Sequence, residues 1–264
     1  METGIKVLEY LPSLEKLFEL QQKIAFIHPY LEKLFPVAVV MDKEFVIYDF
    51  HPESQSYRFV KKAPIPLFIP EGVRAAFPLP FYEDRMACVI TADAFDTLEG
   101  YVLIFHEFIH CQQWESGEMD LKRTLGVYKK ARQTKDDQWE IDYPFPYTDP
   151  EFTRLYNRFL QVVVQGKAED IAQVRKQLAA LLKKPDYEYM VWQEWKEGFA
   201  RTIENRIRKV LDLPGNHYGA EEPFNRIVFY EGGSRYIEFL EKQNLDNLVR
   251  PETLFKDILT AAKP

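Results

Sequence analysis

The sequence predicts an α+β fold. Every strand-like run falls before residue 95, everything after Asp96 carries apolar residues at helical spacing, and strands and helices do not alternate. Residues 12–35 place Leu14, Leu17, Phe18, Ile24, Ile27, Leu31 and Leu34 on a helical period. Pro12-Ser13 opens this stretch, Pro29 kinks or breaks it, and Pro36 ends it. Residues 37–41 and 45–50 are short β-rich runs joined by Asp42-Lys43-Glu44, which reads as a hairpin, and 57–60 is a third strand. Residues 52–80 hold six prolines, which suits loop and edge strand rather than sheet centre. Residues 86–90 form the last strand. As the last strand before the helical part of the chain, 86–92 is a candidate sheet edge for an extended peptide to add to. Helices are expected near 97–115, 118–133, 150–165, 167–183, 186–212, 225–243 and 251–262, with 134–150 as the longest polar, proline-rich connection. The organisation expected is one domain over 1–264, with a helix-plus-sheet lobe (1–95) and a helical lobe (96–264).

Composition narrows the chemistry. A hydrophobic share of 46% against 28% charged residues is an ordinary globular mix. A net charge of −7 and a pI near 5.4 disfavour nonspecific nucleic-acid binding, which needs a basic footprint. Cys88 and Cys111 are too few for a disulfide framework or a cysteine-rich zinc site. Imidazole chemistry must come from His28, His51, His106, His110 or His217. The start lacks a basic segment followed by an apolar one, and apolar runs such as 101–105 fall far short of the ~20 residues of a membrane span. A soluble cytoplasmic protein is expected, without nucleic-acid or membrane partners.

One constellation carries strong chemistry. Residues 106–110 read His-Glu-Phe-Ile-His. On a helix, positions i and i+4 lie ~40° apart around the axis, so both imidazoles project from one face and can bind one zinc ion. Glu107 comes round to the same side, where it can take a proton from an activated water. The segment 101–111 is apolar almost all round, so the helix is expected to be buried, where ionisable groups are costly unless paired or metal-bound. The bland alternative is two hydrogen-bonded core histidines and a buried salt bridge.

A catalytic zinc needs a third protein ligand. No third histidine follows closely, Cys111 points off the ligand face, and glutamate is the expected choice. Glu194, Glu197, Arg201, Glu204 and Arg208 share one stripe of the helix expected over 186–212. The competing reading is a solvated face stitched by Glu197–Arg201 and Glu204–Arg208 pairs. Gly198 favours burial, because a mid-helix glycine costs ~1 kcal/mol against alanine and suits close helix packing. Gly232-Gly233 inside the next helix likewise suggests that something passes closely.

His-Glu-x-x-His followed by Glu197-Gly198-Phe199-Ala200, with Glu204 seven positions after Glu197, resembles the gluzincin zinc metallopeptidases and is distantly similar to the catalytic core of the aminopeptidase N family. Tyr230-Glu231-Gly232-Gly233 is similar to that family's Tyr-Glu-Lys-Gly segment. The resemblance implies a zincin-like fold, in which a mostly antiparallel sheet packs on the His-Glu-x-x-His helix. It implies His106, His110 and Glu197 as zinc ligands, Glu107 as general base, Glu204 as a carboxylate behind the ligands, and Tyr230 as donor to the developing oxyanion, on a peptide or protein substrate. There are departures. Glu197 lies 87 positions after His110 where the family places it about twenty on, Thr202 replaces a tyrosine, Gly232 replaces a lysine, and no Gly-x-Met-Glu-Asn motif is present. The helices over 118–183 look more like those of small bacterial zincin-like proteins. Glu194 is an alternative third ligand and His217 an alternative oxyanion donor, while His28 and His51 read as structural. The competing functional reading is a catalytically inactive zincin-like binding or regulatory protein.

Overall fold

The computed structural model describes residues 8–65, 69–244 and 250–261. The fold is α+β, with a helix ahead of the strands and the remaining described α-helices after them. Contacts group the chain into two compact units. The first comprises residues 1–115 and 203–215, the second 116–202 and 216–264.

In the first unit, helix α1 (Leu11–Ile24) gives way to short 3-10 turns at Ala25–Ile27 and Pro29–Leu31, so the helix expected over 12–35 breaks ahead of Pro29. Strands β1 (Val37–Met41), β2 (Glu44–His51), β3 (Ser56–Pro64), β4 (Arg74–Leu79) and β5 (Arg85–Thr91) form one sheet in the order β3-β2-β1-β5-β4. Asp42 and Lys43 both take positive φ (48° and 66°), the twist that a two-residue hairpin turn requires. All neighbours are antiparallel except β1 and β5.

That parallel pairing corrects the expectation for 86–92. β5 is an interior strand with β1 on one side and β4 on the other, and the edge belongs to the proline-containing β4. The Thr91 N–H donates to Val73 O at 3.3 Å. By the antiparallel alternation, Arg74, Ala76 and Pro78 then turn their backbone groups away from β5. Pro78, which has no N–H to offer, occupies one of these outward positions.

Both faces of the central strands are covered, which explains their unbroken apolar runs. Ala38, Phe45, Ile47, Ala87 and Val89 pack with Ile65, Ile69, Phe77 and Phe81. Helix α2 (Leu98–Gln113) packs on β4 and β5. Thr97 caps it by accepting from the Gly100 N–H (3.1 Å), and a Cβ at Gly100 would meet Ala94 O at 2.2 Å. The helix that carries His-Glu-x-x-His therefore groups with the sheet.

The second unit contains α3 (Met119–Thr124), α4 (Gly126–Thr134), a short α5 (Trp139–Asp142), α6 (Pro150–Gln165), α7 (Ala168–Leu181), most of α8 (Lys184–Val210), α9 (Val228–Gln243) and α10 (Pro251–Thr260). The helix expected over 118–133 is two, separated by the extended Leu125. Asp149 caps α6 through the Glu151 and Phe152 N–H groups, with Pro150 at the first helical position. An aromatic core joins Phe145, Phe152, Tyr156, Tyr189 and Phe229.

The connection over 134–150 is anchored rather than loose. Trp139 is buried, and the Glu140 carboxylate accepts from Lys122, Lys196 and the Trp192 indole. Among the described residues, no helix is long and apolar enough to cross a membrane.

Helices α8 and α9 touch backbone to backbone. A Cβ on Gly198 would sit 2.6 Å from Gly233 Cα, and one on Gly233 would sit 2.1 Å from Glu194 O. Gly198→Ala should therefore destabilise the protein by about 1–3 kcal/mol, measurable by urea unfolding.

The Glu140 cluster generates a second expectation. Burial pushes the Glu140 carboxyl up, but Lys196 and Lys122 outweigh it and hold the group down at about 2, from an ordinary 4.5. A depressed folded-state pKa gives stability that is present above 4.5 and lost as pH falls towards 2. Glu140→Gln should lower stability at neutral pH and flatten its decline between pH 4.5 and 2, read from urea midpoints across that range.

Candidate metal centre

Helix α2 presents its two motif histidines side by side. Both are buried, and their Nε2 atoms face each other at 3.1 Å. The outer nitrogens are committed elsewhere. His106 Nδ1 donates to Glu204 Oε2 at 3.0 Å, and His110 Nδ1 donates to Gln113 Oε1 at 2.8 Å. Both partners are acceptors, so in the neutral rings the proton sits on Nδ1 and the lone pair on Nε2. In that tautomer the two Nε2 lone pairs are directed towards the same space. Two nitrogens on one tetrahedral zinc lie about 3.3 Å apart, close to this spacing.

Glu204 lies in the part of α8 that belongs to the first unit. Its second oxygen accepts from Arg208 Nε at 2.9 Å, so the carboxylate spans a histidine and an arginine. Glu197 lies two turns earlier on the same unbroken helix, at i−7, and so on the same stripe. His106, His110 and Glu197 each offer one ligand atom, all within 4.8 Å of one another. Two imidazoles and a carboxylate are a donor set suited to zinc.

Glu194, the alternative ligand, is engaged elsewhere. It is fully buried, and it accepts from Arg175 Nη1 at 2.6 Å and from the Tyr156 hydroxyl at 2.9 Å. The stripe is not a solvated face, since Glu194, Arg201, Glu204 and Arg208 are all buried.

Glu107 is half-buried on α2 and makes no hydrogen bond or ion pair among the described residues. Its carboxylate lies near the buried thiols of Cys88 and Cys111. Burial first, and Glu107 next, push both thiols well above their ordinary range. Both thiols are thereby held towards their protonated form.

Tyr230 stands in the first turn of α9, half-buried, with the guanidinium groups of Arg201 and Arg226 each 5.7 Å from its ring centre. His217 is largely exposed, and its Nδ1 donates to the buried Glu231 Oε1 at 3.0 Å. His28 is buried and its Nδ1 accepts from the Tyr30 N–H, the structural use expected of it, while His51 is exposed at the end of β2.

Gln113 was not singled out from the sequence. Its signal was its spacing: it is a glutamine three positions after His110, on the same face of the helix. Scans against family models, curated proteins and solved structures each found no match for this chain.

A carboxylate that orients a ligand imidazole typically changes metal affinity about 10–100-fold. Glu204→Ala should weaken zinc binding by that factor, read by competition with a chromogenic chelator.

Proposed function

We propose that this protein is a zinc-dependent peptide hydrolase of the gluzincin type, with a zincin-like fold, acting in the cytoplasm on peptide or protein substrates. The observation that carries this reading is the pair of Nε2 lone pairs converging at 3.1 Å, each fixed by a hydrogen bond on the far side of its ring. His106, His110 and Glu197 would hold the ion.

When bound, zinc supplies Lewis acidity to a water molecule and to the scissile carbonyl. Glu107 takes the proton of the attacking water and returns it to the departing amine nitrogen. Its freedom from hydrogen bonds and ion pairs among the described residues suits this work. The Tyr230 hydroxyl donates to the carbonyl oxygen as it gains charge, a contribution worth about 3 kcal/mol in comparable sites. Glu204 and Gln113 keep the ligand tautomers fixed. The outward N–H and C=O of Ala76 on β4 offer an extended peptide a strand to pair with.

Protein purified without chelator or nickel resin should contain one zinc per chain. Glu107→Gln should keep the metal and lose about 10²–10⁴-fold of its hydrolysis of a peptide library. Full activity in Glu107→Gln would overturn the mechanism. Stoichiometric zinc with no hydrolysis by the unaltered protein would favour the inactive, zinc-holding alternative.

A further inference from the structure

We infer that Arg201 is a positioning residue of this centre, holding the loop that carries His217, together with the ring of Tyr230, in place one helical turn from Glu197. The inference rests on the reading of Glu197 as a metal ligand. Arg201 stands at i+4 from Glu197 on α8, so the two share a face about 6 Å apart along the axis. Its side chain is buried.

Arg201 Nη1 donates to the carbonyl oxygens of Asn216 (3.1 Å) and Tyr218 (3.4 Å), which bracket His217. Its guanidinium also faces the Tyr230 ring at 5.7 Å. A planar, delocalised cation can donate in its plane and meet an aromatic ring, whereas a lysine ammonium supplies a point charge.

The segment needs such an anchor. Residues 216–222 bury no side chain, so apolar packing cannot hold them. Its other ties are polar. The Tyr218 N–H donates to Asn216 Oδ1 at 3.2 Å, the Asn157 side-chain amide donates to Glu222 Oε1 at 2.6 Å, and His217 Nδ1 donates to Glu231. Glu231 is itself buried and braced by Arg235 Nε at 2.6 Å. With Nδ1 committed, His217 has only Nε2 to present. Arg201 therefore fixes two groups able to bond a substrate, His217 Nε2 and the Tyr230 hydroxyl, against the helix that carries Glu197.

The test combines amide hydrogen exchange with kinetics on the zinc-loaded full chain. In Arg201→Ala, amides over 216–218 should exchange at least about tenfold faster while α8 and α9 keep their protection. The kcat for peptide hydrolysis should fall about 10²-fold, the scale of a misplaced active-site group, with zinc content unchanged. Millimolar methylguanidinium should restore part of both. Arg201→Lys is the milder variant if alanine fails to fold, and it should loosen the same three amides.

Unchanged exchange over 216–218 would overturn the inference. So would protection lost throughout α8 and α9 in both variants, which would make Arg201 a core element, or a loosened loop with unchanged kcat. If the unaltered protein shows no zinc-dependent hydrolysis, the peptidase reading falls, and the exchange measurement still decides the anchoring by itself.

Discussion

Charge must be paired where water is scarce, and α8 concentrates that demand. Along one helix, Glu194, Arg201, Glu204 and Arg208 are all buried. An unpaired ion in such a place costs several kcal/mol, so each one fixes the neighbour that neutralises it or bonds to it. Glu194 requires Arg175 and Tyr156. Lys196 requires Glu118 and Glu140. Arg201 takes main-chain carbonyls, and Glu204 takes His106 and Arg208. The partners come from widely separated stretches of sequence. The helix is thus less a packing element with some charges on it than a row of obligations met by the rest of the chain.

The histidine pair extends the same logic. Each imidazole has two nitrogens, and the outer one of each ring bonds to a side chain of the protein. The two outer partners differ in kind. His106 leans on a carboxylate that is itself shared with an arginine, whereas His110 leans on a neutral amide. A charged acceptor makes its imidazole the stronger donor towards a cation. As ligands of an ion the two rings would therefore be unequal, although the motif that supplies them is symmetric in sequence.

Much of the local architecture was legible because it rests on local chemistry. The Asp42-Lys43 turn, the prolines that confine β4 to an edge and the ends of α6 all depend on residues within a few positions of each other. What was not legible depends on partners far along the chain. β5 reads like an edge strand until its parallel pairing with β1 is known. Residues 118–133 read as one helix, but a new one starts at Gly126, where the Glu188 carboxylate accepts from the Val127 N–H at 2.9 Å. No neighbour of Val127 in sequence announces that acceptor. At the centre, spacing alone placed His106, Glu107 and His110 on one helix. It left Glu194 and Glu197 open, because two residues three apart on a helix share a face, and only Arg175 and Tyr156 show that Glu194 is occupied.

The meeting of Gly198 and Gly233 bears on how freely the surroundings can vary. Where two helices touch through backbone, their spacing is set by atoms that every residue type shares. Side chains lining the rest of the contact can change in size without acting as the spacer. Glu197, next to the contact, is thus held by a main-chain gauge. A redesign that repacks the aromatic core of the second unit could exchange many of its residues and still return this carboxylate to its place, provided that the two glycines are kept.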